Sequence, residues 1–185
     1  MQRPVEPFRT QRLLLRLFTP RDLDALHSIF SRPDVITYLD HGPLSLEATR
    51  DLLDRIVGYT GIDEAHGELR LAVVLPDSGE LIGDVSLWRT SAEHAQGEIG
   101  FVVHPDHQGR GYAFEGMSEL LRIGFEEAAF HRIVGRCEAL NNASAGLMER
   151  LGMRREGHFR ENAWIKETWS SELVYAMLAS EWAAR

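Results

Sequence analysis

The densest chemistry in this chain lies between Phe101 and Ala113, in the run Phe101-Val102-Val103-His104-Pro105-Asp106-His107-Gln108-Gly109-Arg110-Gly111-Tyr112-Ala113. A strand pattern ends, two glycines follow one residue apart, and a long helical pattern starts at Tyr112. Glycines let successive backbone N–H groups turn into one concavity. The first helical turn adds its unbonded N–H groups and the positive end of the helix dipole. Together they make an anion site suited to a pyrophosphate. A P-loop is excluded, because Gly111 is followed by Tyr112 and Ala113 rather than by Lys and Ser or Thr. A dinucleotide fingerprint is excluded as well: Phe114 stands where a third glycine is needed, and no βαβ unit opens the chain. Spacing alone leaves one alternative, a glycine turn that caps a helix and holds no ligand.

Other reactive side chains are sparse. Cys137 is the only cysteine, so an internal disulfide is impossible. Its setting in Ile133-Val-Gly-Arg-Cys137 reads as a buried strand position rather than a nucleophile. His104 and His107 flank Asp106, but no third ligand stands at a diagnostic spacing, and no metal is expected.

The run Gln108-Gly109-Arg110-Gly111-Tyr112-Ala113 resembles the Gln/Arg-x-x-Gly-x-Gly/Ala signature of the Gcn5-related N-acetyltransferase (GNAT) superfamily, which cradles the coenzyme A pyrophosphate. Glu98-Ile-Gly-Phe-Val-Val-His-Pro-Asp106 looks like the strand that leads into it. The likeness runs almost end to end. Thr10-Gln-Arg-Leu-Leu-Leu-Arg16 is similar to the opening of the ribosomal-protein N-terminal (RimJ/RimL-like) subgroup. Asn141-Asn-Ala-Ser144, Leu151-Gly-Met-Arg-Arg-Glu-Gly157 and Glu172-Leu-Val-Tyr-Ala-Met-Leu178 resemble its downstream half and closing strand. Two departures stand in the helix after the loop: Phe114 is bulkier than the usual residue, and Gly116 weakens the first turns by up to ~1 kcal/mol relative to alanine.

The resemblance implies acetyl-CoA as co-substrate, no metal, and direct transfer to a primary amine in a ternary complex. Gln108, Gly109, Arg110, Gly111, Tyr112 and Ala113 would hold the pyrophosphate. The pantetheine arm would pair with Phe101, Val102 and Val103 as an added strand and hydrogen-bond Asn141. An alkyl amine is mostly protonated at neutral pH, so the reaction needs a base, and the departing thiolate gains from a proton donor. Glu98 is the candidate base; its alternative is a solvated or structural strand carboxylate. Ser144 is the candidate thiolate partner, since Met148 stands where many relatives carry a tyrosine. Its alternative is a helix cap or first-turn residue. The subgroup resemblance leans to a protein N-terminus, such as that of a ribosomal protein. The same fold accepts polyamines and antibiotics, and fold alone does not choose. A homodimer is compatible with the resemblance. A non-catalytic acyl-CoA-binding module is the rival class; it would need neither Glu98 nor Ser144.

These residues need elements to hold them. A leucine-rich strand spans 12–18, and Thr19-Pro20-Arg21-Asp22 opens a helix with Leu23, Leu26, Ile29 and Phe30 on one face. A short helical segment lies near 33–39, and a second helix starts at Ser45 with Leu52, Leu53, Ile56 and Val57 together. Strands at 68–75 and 80–88 flank the turn Pro76-Asp77-Ser78-Gly79. A third strand spans 97–103, a helix 112–129, and then strand and helix alternate through 133–137, 143–151, 152–160 and 170–178. The pattern is α+β: one N-acetyltransferase domain over 1–185, with a mixed, mostly antiparallel sheet of about seven strands flanked by helices. Family resemblance places a splay between the fourth and fifth strands, where the strand ending at Val103 parts from 133–137.

Composition agrees with this class. The chain has 185 residues, enough for a sizeable core. Its net charge of −8 argues against nucleic acid as the main partner and suits a cationic substrate. No apolar run approaches the ~20 residues that span a bilayer, so no membrane partner is expected. The residues Met1 to Thr10 carry Arg3, Glu6 and Arg9 without an apolar stretch, so no secretory signal is read and a cytoplasmic location is expected.

Overall fold

The computed structural model describes residues 7–62 and 67–185. The N-terminal segment 1–6, read above for a signal, lies outside them. The elements run β1 (Phe8–Arg9), β2 (Leu14–Leu17), α1 (Leu23–Phe30), α2 (Leu46–Ile56), β3 (Thr60–Ile62), β4 (Gly67–Val74), β5 (Leu81–Ser91) and β6 (Gln96–Val103). There follow α3 (Tyr112–Arg122), β7 (Arg132–Glu138), α4 (Asn142–Arg150), β8 (Arg154–Ile165), β9 (Thr168–Leu178) and α5 (Ala179–Ala183). Among the described residues the sheet has nine strands in the order β1-β2-β4-β5-β6-β7-β9-β8, with β3 paired to β4. Seven of them match the expected strands. The two extra ones, β1 and β3, have two and three residues, too few to show a period of two. All pairings are antiparallel except β6 with β7.

Alternation along the strands gives the sheet two apolar faces. Leu13, Leu15, Leu71, Val85, Leu87, Ile99, Ile133 and Tyr175 pack with α3 and α4 on one side. Ala72, Val74 and Leu81 pack beneath α1 and α2 on the other. The starts of those two helices follow from capping. Thr19 donates its backbone N–H and hydroxyl to the Asp22 carboxylate, which also takes the Arg16 guanidinium at 2.7 Å. The result is a 3₁₀ turn over Pro20–Asp22 before α1 begins, rather than a helix opening directly at Thr19. Ser45 accepts from the Ala48 N–H at 3.1 Å and starts α2.

Helix α3 must lie close to the sheet, and Gly116 allows it. A Cβ there would stand 3.3 Å from Val85 and near Leu13 and Leu15. The helix-weakening glycine is therefore a packing residue. Beyond Arg122 the helix widens into a π turn over Ile123–Glu127, so the regular part of α3 ends seven residues earlier than the pattern predicts.

Parallel pairing of β6 with β7 covers only Gln96–Ile99 against Arg132–Gly135. Both strands continue, β6 to Val103 and β7 to Glu138, but they are no longer paired with each other. On its other edge β6 stays paired with β5 through Val103. The sheet thus opens at Gly100, between the fourth and fifth of the seven expected strands.

Candidate active site

The opening in the sheet is part of one cleft of about 830 Å³. Its walls carry Phe101, Val102 and Val103 from β6, Gln108, Gly109, Gly111, Tyr112 and Ala113 from the glycine loop, and Asn141 and Ser144 from the α4 end. Glu98 lines it too. Of the residues expected to bind coenzyme A or take part in the chemistry, Arg110 alone is not among the lining side chains; its carbonyl accepts a hydrogen bond from Arg12 at 3.0 Å.

The loop is shaped by local rules. Pro105–His107 forms a 3₁₀ turn, and the Gln108 side-chain amide donates to the Val103 carbonyl at 2.9 Å, tying the loop back to its strand. Gly109 and Gly111 take φ of +73° and +83°, the left-handed region that side chains rarely adopt. Gly111 then caps α3 with no side chain in front of the helix's free N–H groups. Sequence reasoning missed the brace behind the loop. Glu115, in the first turn of α3, accepts from the Thr10 hydroxyl at 2.6 Å and from the Arg12 guanidinium at 2.7 Å. Burial pushes the Glu115 carboxyl up, but these bonds outweigh it and hold it below the usual range. The signal lies in Thr10-Gln-Arg12, whose polar side chains reach the start of α3. Arg12 neutralises a carboxylate that would otherwise repel an anion at this helix end.

Asn141 and Ser144 sit on the α3/α4 face. The Asn141 side-chain oxygen accepts from the Ser144 backbone N–H at 3.0 Å, so Asn141 is the N-cap of α4. Ser144 is not the cap. The residue is 7% exposed, with its hydroxyl beside Cys137. Burial pushes the Cys137 thiol up, with the Ser144 hydroxyl pulling the other way, so this thiol is not an activated nucleophile.

Glu98 sits on the opposite face, in the next-to-last residue pair before the sheet opens. Its side chain is 17% exposed and accepts from Arg136 on β7 at 3.2 Å. Arg136 also bonds Glu172 on β9 at 2.8 Å. Burial raises the Glu98 carboxyl above its ordinary range; Arg136 opposes the shift and Glu172 adds to it. The same face carries charged residues that the sequence did not flag. Arg70 on β4 pairs with Asp84 on β5 at 2.9 Å, with side chains 16% and 3% exposed. Glu68 lies beside them, its carboxyl raised by burial against the pull of Arg70. Among the described residues no group of three or more His, Cys, Asp or Glu side chains is placed to hold a metal ion. His107 instead faces Glu80 at 3.1 Å, and the Asp106 N–H donates to His104.

Residues 12–154 match the acetyltransferase (GNAT) domain model. The chain belongs to the GNAT family. Uncharacterized N-acetyltransferase YnaD of Bacillus subtilis (strain 168) is 34% identical over 173 residues, covering 94% of this chain and 97% of its own. The crystal structure of a GNAT-family acetyltransferase from Bacillus anthracis superposes with a TM-score of 0.85 at 32% identity, covering 95% of this chain and all of that one. Two more distant relatives have named acceptors. Spermidine N(1)-acetyltransferase of Vibrio cholerae (serotype O1, strain ATCC 39315 / El Tor Inaba N16961) is 24% identical over 94% of this chain and 96% of its own. The [ribosomal protein uS5]-alanine N-acetyltransferase of Escherichia coli (strain K12) is 27% identical over 58% of this chain and 56% of its own. This GNAT chain is accordingly an N-acetyltransferase, and GNAT acetyltransferases use acetyl-CoA as co-substrate. Among the described residues no helix is long and apolar enough to cross a membrane.

Proposed function

We propose that this protein moves an acetyl group from acetyl-CoA to a primary amine by direct transfer, with Glu98 taking the amine proton and Ser144 serving the departing thiolate. The observation that carries this reading is the end of β6–β7 pairing after Ile99, with Glu98 on one face of the opening and Ser144 on the other. Coenzyme A would anchor its pyrophosphate on the Gly109–Gly111 turn and the α3 N-terminus. Its pantetheine arm would pair with the β6 backbone at Phe101–Val103. The thioester would then stand in the opening. An amine attacking from the Glu98 side expels the thiolate toward the Ser144 side, so proton removal and proton supply fall on opposite sides of the reacting carbon. Backbone N–H groups at the opening are suited to the tetrahedral oxyanion.

Ser144 is not occupied as the cap of α4, which is Asn141; it stands in the first turn with its hydroxyl beside the Cys137 thiol. A carboxyl held above its usual range by burial is a better match to an amine's proton than an exposed one. The resemblance of Thr10–Arg16 and of the Asn141–Ser144 run supports a protein N-terminal amine; the charges on the acceptor wall support a different amine. The test is a coupled assay with acetyl-CoA, a panel of amines including N-terminal peptides and polyamines, and optical detection of free thiol. Thiol release that depends on an amine supports the reading. Binding of acetyl-CoA without release for any amine leaves only a binding module.

A further inference from the structure

The acceptor wall has an arrangement of charge that general amine chemistry does not require. Glu68 on β4 and Glu98 on β6 are both register partners of Trp88 on β5. They therefore flank the indole in one row, with Cα atoms roughly 10 Å apart across two inter-strand spacings. Each lies in a cluster of two carboxylates to one arginine. On one side Arg70 pairs with Asp84, and Glu68 feels both. On the other, Arg136 is shared between Glu98 and Glu172. Each cluster keeps about one uncompensated negative charge when ionised. No hydrogen bond to the Glu68 carboxylate is found among the described residues, yet it is half-buried and faces the cleft. Asp40 on the rim adds charge of the same sign. Trp88 leans over Gly100, where an added Cβ would stand 3.4 Å from the indole and 3.1 Å from the Ser86 hydroxyl. It thus lays an aromatic floor between the two clusters.

We propose that the acceptor is a short alkyl diamine or polyamine, whose reacting nitrogen goes to Glu98 while a second ammonium group is held at Glu68 with the linking chain across Trp88. This rests on the transferase reading above. A half-buried carboxylate that accepts no hydrogen bond is a site for a cation, and an aromatic face between two such sites accepts an alkyl chain or a passing ammonium. A peptide N-terminus supplies one charge beside a carbonyl and leaves the Glu68 carboxylate with no hydrogen-bond donor.

The experiment compares kcat/KM for butanediamine, butylamine and a short peptide with a neutral sequence, in wild type, Glu68→Gln and Glu68→Asp. Wild type should prefer the diamine over butylamine by at least about tenfold. Glu68→Gln should shrink that preference by a similar factor, and Glu68→Asp should keep part of it. Acetyl-CoA binding, measured by calorimetry, should stay the same in both variants and show that they fold. Equal use of diamine and butylamine by wild type, a preference for the peptide, or a Glu68→Gln effect equal on all acceptors overturns the proposal and leaves the transferase reading standing. No transfer to any of the three, with acetyl-CoA bound, sinks both.

Discussion

Glu98→Gln separates base catalysis from structure. The substitution keeps size and one acceptor oxygen but cannot take the amine proton. General-base catalysis is worth ~10²–10⁴-fold. The low end applies here, because the cleft admits water that can relay the proton; a hundredfold loss is about 2.7 kcal/mol of barrier. Stability should move the other way. A carboxyl whose folded pKa lies above its unfolded value contributes stability at acid pH, and that contribution is lost as pH rises through the folded value. At neutral pH the ionised Glu98 is therefore a burden on the fold, and Arg136 keeps Glu172 when Glu98 is replaced. The variant should melt no lower than wild type near pH 7. Its activity should fall nonetheless, and the acid limb set by Glu98 should vanish from the pH profile. Raising the pH should narrow the gap, since more acceptor is then already neutral. The gap should also be smaller for an α-amine, which titrates near ~7.7–8.0, than for an alkyl amine near ~10.4. The assay is kcat/KM against pH for both proteins with one acceptor. Parallel profiles less than about threefold apart refute the assignment and move the search to a water held by backbone carbonyls.

Gly111→Val forces a β-branched residue to φ +83° with Arg12 3.3 Å from its Cβ, so acetyl-CoA affinity by calorimetry should weaken at least tenfold, about 1.4 kcal/mol. Unchanged affinity in a folded variant removes the loop from the coenzyme site. Ser144→Ala should lower kcat with little change in acetyl-CoA binding or melting temperature. Asn141→Ala should instead lower stability by about 1 kcal/mol, because it removes the cap of α4. Asp84→Asn leaves the Arg70 charge in the sheet with only Glu68 near it, and denaturant titration should show a loss toward the low end of ~3–5 kcal/mol. A loss below about 1 kcal/mol would mean that the pair is solvated like a surface bridge.

The parts of the fold set by local rules were legible in the sequence. The turn at Pro76–Gly79 returns the chain with Gly79 at φ +73°, and Ser45 starts α2. The glycine loop could be read because its chemistry lies within a few consecutive residues. What could not be read depends on pairing across strands. Glu68, Arg70, Asp84, Glu98, Arg136 and Glu172 come from five strands, and only the register brings them to one face. In the sequence each is one charged residue in an apolar run. Ser144 shows the same limit on a smaller scale. From the sequence its alternative is a helix cap or a first-turn residue, and the 3.0 Å bond from its own N–H to Asn141 makes Asn141 the cap and places Ser144 in the first turn. Gly116, read as a helix-weakening residue, has its reason in Val85, thirty-one positions away and across a layer.

Direct acetyl transfer from coenzyme A to an amine held at the opening of the sheet leaves no acetyl group on the protein. The most direct measurement is mass spectrometry of both partners after mixing enzyme, isotopically labelled acetyl-CoA and an accepting amine. One labelled acetyl group is expected on the amine and none on the protein at any time point, including before the amine is added. A labelled protein that passes its acetyl group to a later-added amine would contradict it, as would thiol release at the same rate with no amine present.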